Sequence, residues 1–272
     1  MASSNPVLCG SIAAHPGSFG VAMHTAAYRA SGLAYTYVAF GTEDTRAAMA
    51  AMRALAIRGL GVTMPHKRRV IDCLDALSAD ARAIGAVNTV VNDDGRLTGH
   101  NVDWLGAVRA FAEAVSLDGL RAAVVGAGGG ARAIIYGLRR AGAAVSVYNR
   151  SQGPARAAAA DLGADYGGPV EALDGDHRYA LIAHATPVGL KDPGAMLIGA
   201  DALRPGVVVF DAVTMPVETR LLREAQARGC RTIPGVRMQL HQAAAQFALY
   251  TGRAPDLAVM ERALREAMAG AA

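Results

Sequence analysis

Lysine is nearly absent from this 272-residue chain: of its 27 lysines and arginines, only Lys67 and Lys191 are lysines. Cysteine is scarce too. Cys9, Cys73 and Cys230 lie far apart and are odd in number. They form no CxxC pair and no disulfide framework, which points to a reducing, cytoplasmic setting. No apolar run approaches the roughly 20 residues of a membrane span. The first 28 residues hold no lysine or arginine, unlike a signal peptide. The seven histidines show neither HxH nor HExxH, so no metal site is expected, and there is no GxSxG nucleophile motif. Charge of one sign is lacking as well: the formal balance is only +4, in short basic clusters without interleaved aromatics. That gives little footing to nucleic acid and suits a small anionic ligand. The expectation is a protein that neither spans a membrane nor binds nucleic acid, working as a monomer or homodimer.

What is present is an alternation of strand and helix. "YTYVAF" (35–40) reads as a strand, "TRAAMAAMRALAI" (45–57) as a helix, and "GLGVTM" (59–64) as a short strand ended by Pro65. "AVNTVVND" (86–93) runs through "DDG" into "RLTGHN", a hairpin signal. A helical stretch starts at Asp103. Residues 121–151 then read as strand, glycine-rich turn, helix and strand. Further strands follow at 179–186 and 206–213, and helical patterns at 217–229, 236–251 and 256–268. This order implies an α/β protein with parallel sheets. We expect residues 1–105 to form a substrate-binding and catalytic domain, 106–234 a dinucleotide-binding domain, and 235–272 C-terminal helices that pack back on the first domain.

Gly126, Gly128 and Gly129 follow an apolar strand and open a helix. In that context glycines allow a tight turn and let a pyrophosphate approach the helix N-terminus. Ala131 stands at the third position of the G-x-G-x-x-G pattern, an accepted variant. The next strand ends in "YNRS", with Asn149 and Arg150 where an NAD enzyme usually carries an acid. A guanidinium there suits a 2′-phosphate, so the expected cofactor is NADP.

Lys67 lies in "GVTMPHKRR", after a strand and in a loop before a helix. A first-turn charge is one explanation for it. Another is proton transfer, because a lysine's pKa can be brought into range by its surroundings whereas arginine stays charged. Asp103, in "GHNVDWLG", suits a helix N-cap and a catalytic role equally. Asn88 is a polar residue within an apolar strand. His15 and His66 are candidates to line the cleft, and His24 and His241 to pack within helices.

Taken together, "GVTMPHK", "GAVNTVV", "GHNVDWLG", "VVGAGGGARA", "YNRS", "AHATPVG" and "PGVRMQLHQAAAQ" resemble, in order and over almost the whole chain, the shikimate dehydrogenases. The resemblance implies a substrate domain, a Rossmann NADP domain and C-terminal helices returning to the former. It also implies interconversion of 3-dehydroshikimate and shikimate, a step of aromatic amino acid biosynthesis. By motif, Lys67 and Asp103 would be the catalytic pair. Ser18, Thr63, Asn88 and Gln242 would bind substrate, and Gly126, Gly128, Gly129, Asn149, Arg150, Thr186 and Gly235 would face the cofactor. Several positions depart from the family pattern. "GSIAAHPGSFGVAMH" is two residues longer than the family's S-x-S-P stretch and leaves only Ser18 near the second serine's place. Thr214 replaces a frequent tyrosine, His66 a common aromatic, and "N-V-D" the usual "N-T-D"; Pro154 takes an arginine's place, with Arg156 two residues on. The "PGSFG…MH" and "FDAVTMPVET" stretches look like the shikimate-dehydrogenase-like branch. A quinate or aminoshikimate-type dehydrogenase and a non-catalytic NADP- or metabolite-binding regulator remain as alternatives.

Overall fold

A computed structural model describes residues 6–270. The chain forms two compact units, one running to Val102 and resuming at Gln242, the other spanning Asp103–His241.

The first unit contains β1 (Val7–Ala13), α1 (Phe19–Ala30), β2 (Tyr35–Gly41), α2 (Thr45–Ala54), β3 (Gly59–Val62), α3 (His66–Arg69), β4 (Ala76–Leu77), α4 (Ala79–Ile84), β5 (Thr89–Asp93) and β6 (Arg96–His100). Its six-stranded sheet has the order β2-β1-β3-β5-β6-β4. The sheet is mixed: the expected hairpin sets β5 antiparallel to β6, and β5 also runs antiparallel to β3. The cause is the hairpin. Asp94 (φ 50°) and Gly95 (φ 91°) both take positive φ, as a two-residue turn of the primed type requires, so β6 must return antiparallel. α2 stops at Ala54, three residues before the patterned stretch does, because Leu55 caps it and Ala56 turns left-handed (φ 48°). Asp44 starts that helix, accepting the Ala47 N–H at 2.9 Å. The core under this sheet is built from Ile12, Met49, Met52, Leu60, Val62, Val87, Val90 and Leu97.

The second unit contains α5 (Asp103–Ala112), β7 (Arg121–Val125), α6 (Gly129–Arg140), β8 (Ala144–Tyr148), α7 (Gln152–Leu162), β9 (Asp165–Gly168), β10 (Leu181–His184), β11 (Val208–Asp211), α8 (Arg220–Ala227) and β12 (Arg231–Pro234). Its sheet, β12-β11-β10-β7-β8-β9, is parallel throughout. Strands buried on both faces carry continuous apolar runs, and β10 and β11 are buried at every position. Strand order reverses between β7 and β10, the point at which open α/β sheets hold ligands beyond their strand ends. Both β10 and β11 are shorter than the stretches that announced them, by two residues at each end.

α9 (Gly235–Thr251) starts in the second unit and ends in the first, where α10 (Leu257–Ala269) follows. Within the first unit, Tyr250 of α9 lies over β3: a Cβ on Gly59 would stand 2.2 Å from its ring, so the helix approaches only because that strand residue is glycine. Among the described residues, no helix is long and apolar enough to cross a membrane.

Candidate active site

In the first unit the candidate residues gather at the end of β3 and the start of β5. Thr63, exposed just beyond β3, donates its backbone N–H to Ile12 O at 3.1 Å. The loop expected at Lys67 is instead the four-residue helix α3. His66 anchors it. Its N–H reaches Thr63 O at 2.8 Å, Nε2 lies 2.9 Å from Thr42 O, and Nδ1 lies 2.7 Å from Thr45 Oγ1. A ring nitrogen facing a carbonyl must donate, so Nε2 carries the proton and Nδ1 accepts from the threonine hydroxyl. His66 is fully buried in this role and does not line a cleft, whereas His15 is exposed. Lys67 itself is half-buried, and its carbonyl accepts the Val87 N–H at 2.8 Å.

Asn88 is fully buried just ahead of β5. Its Oδ1 accepts from the Val102 N–H at 2.8 Å and from Thr89 Oγ1 at 2.9 Å, and its carbonyl accepts from Val62 N at 2.7 Å. A buried amide oxygen with two donors is satisfied, and here it fixes the backbone immediately before Asp103. Asp103, 1% exposed, is the first residue of α5, where a carboxylate favours the helix dipole. Gln246 completes this frame. It is 3% exposed, and its Nε2 donates to Thr89 Oγ1 at 3.0 Å and to Asn88 O at 3.2 Å. Gln242 lies one helical turn earlier on the same face of α9. Sequence reasoning singled out Gln242 and missed Gln246; the i,i+4 repeat of glutamine on an apolar helix was the available signal.

Ser18 is exposed at the start of α1 and borders a cavity of about 580 Å³ with Pro16, Val21, Tyr37 and Ala267, a lining that includes none of Thr63, Lys67, Asn88 or Gln242. His24, predicted as a packing residue, is fully buried and stacked on Tyr37 with ring centroids 4.2 Å apart. Burial pushes its pKa down to about 3, Gln246 opposing only in part.

In the second unit the cofactor candidates all lie at the C-terminal ends of strands. Gly126, after β7, has φ 127°, and a Cβ there would stand 3.1 Å from Ala185 O and 3.3 Å from Thr186 Cγ2. Only glycine fits, on both grounds. Gly128 caps α6 and Gly129 opens it; a Cβ on Gly128 would meet nothing within 4 Å, so the space before the helix is open. Asn149 follows β8, donating its backbone N–H to Gly168 O and its side-chain amide to Ser151 O at 2.9 Å. Arg150 is exposed beside it, and no acid lies in the first turn of α7. Arg156 stacks over Tyr166, 4.4 Å from the ring centroid. Gly235 is the buried first residue of α9. These features fit a dinucleotide phosphate chain and a 2′-phosphate. Thr186, after β10, is half-buried, and its Oγ1 lies 2.6 Å from His184 Nε2. His184 and its partner Asp211 went unremarked in the sequence, although each is a polar residue ending an apolar strand. At the far end of α5, burial disfavours the Glu113 carboxylate. The Arg237 and His241 contacts at 2.6 and 2.7 Å outweigh this and hold its pKa below the usual range. His241 is thereby a structural partner, not a site residue. Among the described residues, no cluster of three or more histidine, cysteine, aspartate or glutamate residues could hold a metal ion.

Comparison with known proteins bears on both units. The model of the shikimate dehydrogenase substrate binding domain matches residues 9–90, and that of the shikimate 5′-dehydrogenase C-terminal domain matches residues 235–265. The chain is 42% identical over 257 residues to the NADP(+) shikimate dehydrogenase of Thermococcus kodakarensis, covering 92% of each protein. It superposes on the Thermus thermophilus shikimate 5-dehydrogenase, solved with NADP(H) and shikimate, at a TM-score of 0.87 and 37% identity, covering 96% of this chain and 99% of that one. It also superposes on the ligand-free 5-ketofructose reductase of a Gluconobacter strain at 0.84 and 32%, covering 96% and 98%.

Proposed function

The chain belongs to the shikimate dehydrogenase family, and on that footing we propose that it is an NADP-dependent oxidoreductase interconverting 3-dehydroshikimate and shikimate. The observation that carries the chemistry is the frame around Asn88. One buried residue ties three places: its carbonyl takes the Val62 N–H at the end of β3, and its side-chain oxygen holds Thr89 at the start of β5 and Val102 before Asp103, while the adjacent Val87 holds the backbone of Lys67. A proton-transfer group needs that kind of fixed support, since small misplacements of reacting groups are costly.

The dinucleotide, when bound, supplies or accepts a hydride at the ring carbon bearing the oxygen. Gly126, Gly128 and Gly129 admit its pyrophosphate, and Arg150 with Asn149 takes the 2′-phosphate. The Lys67 ammonium donates a proton to the substrate carbonyl oxygen during reduction. As the neutral amine it removes the hydroxyl proton during oxidation, with Asp103 the second member of the catalytic pair. Thr63, Asn88 and Gln242 bind the substrate's hydroxyls or carboxylate, with Ser18 at the margin. The mild positive charge and three free cysteines support a small anionic substrate and a cytoplasmic setting, with the enzyme a monomer or homodimer.

One observation favours a second substrate of the same class. The stretch at Ser18 departs from the serine pair of the family, and a relative of equal coverage is named for 5-ketofructose. Another polyhydroxy ketone or acid is therefore the second reading. Steady-state rates with shikimate, quinate and 5-ketofructose, each with NADP(H) and NAD(H), decide between them. Shikimate with NADP⁺ is expected to give the highest kcat/KM. Turnover with none of the three, in a protein that still binds NADPH, would indicate a regulator.

A further inference from the structure

A chain of four buried or half-buried groups runs across the ends of β10 and β11, behind the point where the strand order reverses. His184 and Asp211 are the last residues of neighbouring parallel strands and are paired in register. Their side chains are 2% and 1% exposed, and His184 Nδ1 lies 2.9 Å from Asp211 Oδ1. The other imidazole nitrogen, Nε2, lies 2.6 Å from Thr186 Oγ1. Asp211 is held from two further directions: Oδ1 accepts from the Val213 N–H at 3.0 Å, and Oδ2 accepts from Thr219 Oγ1 at 2.6 Å. Thr219, 1% exposed, is fixed in turn as the N-cap of α8. Nothing in the hydride transfer described above requires this chain, yet it ends on Thr186, whose methyl group faces Gly126 of the glycine loop.

Asp211 Oδ1 already accepts from a backbone N–H, so towards His184 it acts as an acceptor, and Nδ1 carries the imidazole proton. With the ring taken as neutral, Nε2 has only a lone pair, and the short contact to Thr186 is then an O–H···N bond donated by the threonine. A threonine hydroxyl has a single proton. With that proton committed to His184, Thr186 Oγ1 has only lone pairs left, one of which accepts weakly from the Val188 N–H at 3.3 Å.

We propose that His184 and Asp211 are positioning residues that make the Thr186 hydroxyl a fixed, acceptor-only group facing the dinucleotide. This rests on the reading of the second unit as the NADP-binding unit. It excludes one role and assigns another. An acceptor cannot serve the phosphates, which offer no proton, so Thr186 meets a donor of the cofactor: a ribose hydroxyl or the carboxamide N–H of the nicotinamide. The glycine loop on the neighbouring strand is left to the phosphates. The same fixed polarity would disfavour a ligand that places an oxyanion at this position.

The test has two independent readouts. The first is the tautomer of His184 in the wild-type protein without cofactor, read from the side-chain nitrogen shifts and proton couplings by ¹⁵N NMR, with the signal assigned by its loss in His184→Leu. We expect a protonated Nδ1 and a bare Nε2. A proton on Nε2, alone or together with one on Nδ1, overturns the proposal. The second is the Kd for NADPH of Thr186→Val, His184→Leu and the double variant. Each single change is expected to weaken binding by about 5- to 10-fold, the range of one net hydrogen bond, and the double variant by no more than the weaker-binding single one. Thr186→Ser keeps the hydroxyl and is expected to bind within about twofold of wild type. If His184→Leu lowers thermal stability but leaves the NADPH Kd unchanged, His184 is merely structural and the proposal fails. The oxidised 3-acetylpyridine analogue of NADP⁺, which lacks the amide N–H, separates the two donors. Loss of the Thr186→Val effect with that analogue assigns the carboxamide, and its persistence assigns the ribose; either result supports an acceptor. Failure of the wild-type protein to bind NADPH at all would instead overturn the cofactor reading, and the NMR result would still judge the polarity of the relay.

Discussion

In the first unit the candidate site rests on side chains from separate strands and helices: Lys67 on α3, Asn88 just ahead of β5, and beneath it Gln246 of α9, 158 positions after Asn88, bonded to the Asn88 carbonyl. In the second unit the residues proposed for the cofactor act largely through backbone. Gly126 provides a conformation, Gly128 an open approach, and the first turn of α6 provides backbone N–H groups that no cap side chain occupies. The sheets differ in the same sense, one mixed and one wholly parallel. A site built on backbone tolerates exchange of most side chains near it and depends on glycine. A site built on side chains depends on buried amides whose partners must all be present.

Four substitutions, with a fifth as control, put that contrast to the test. The largest effect is expected from Lys67→Arg, which keeps the charge but removes a group able to give up its proton. Turnover should fall by roughly 10²- to 10⁴-fold with the NADPH Kd unchanged. Lys191→Arg, in an exposed loop, is the control and should be silent. Next is Arg150→Ala in the second unit. Loss of a charge-assisted contact to the 2′-phosphate should weaken NADPH binding by about 10- to 100-fold and leave NADH binding nearly unchanged, as read by fluorescence titration. Equal losses for both cofactors would remove Arg150 from the site.

Gln246→Leu has a smaller expected effect. It removes donors to Asn88 O and Thr89 Oγ1 at a buried position, which should cost about 1–3 kcal/mol in denaturant unfolding and raise KM for substrate more than it lowers kcat. A change in NADPH affinity of equal size would show that the two units are not separable in this way. The smallest effect concerns acid. The His24 pKa falls from 6.5 in the unfolded chain to about 3 in the folded one, so folding excludes a proton between those values. The stability this contributes is complete above pH 6.5 and is lost progressively as pH falls towards 3. His24→Phe should flatten the melting temperature in the upper part of that window, before carboxylates such as Glu113, held low by Arg237 and His241, begin to titrate.

The same contrast explains what could be read from the residues alone. The glycine loop was legible because a positive-φ, Cβ-free position leaves glycine in the sequence, and Arg150 because the position that follows β8 is set by a local βαβ unit. Lys67 was legible through the rarity of lysine. Its short helix was not, because α3 is stabilised by His66 bonds to Thr42 and Thr45, more than 20 residues earlier. Gln246 and His184 were missed for a related reason. Their partners lie far off in sequence or on a neighbouring strand, and a lone polar residue in an apolar run does not reveal what it faces. The mixed sheet was half legible: the "DDG" turn announced the hairpin, but which sheet it would join depends on the pairing of β5 with β3.

Chemical rescue of Lys67→Ala separates proton transfer by Lys67, as proposed above, from mere binding of an oxygen. The variant would be assayed for shikimate oxidation with NADP⁺ while a small primary amine or guanidinium is added at equal concentration. The amine is expected to restore turnover in a concentration-dependent way, with the rate following amine basicity, and guanidinium is not. Equal rescue by guanidinium, which supplies charge and hydrogen bonds but cannot give up its proton, would contradict proton transfer by Lys67.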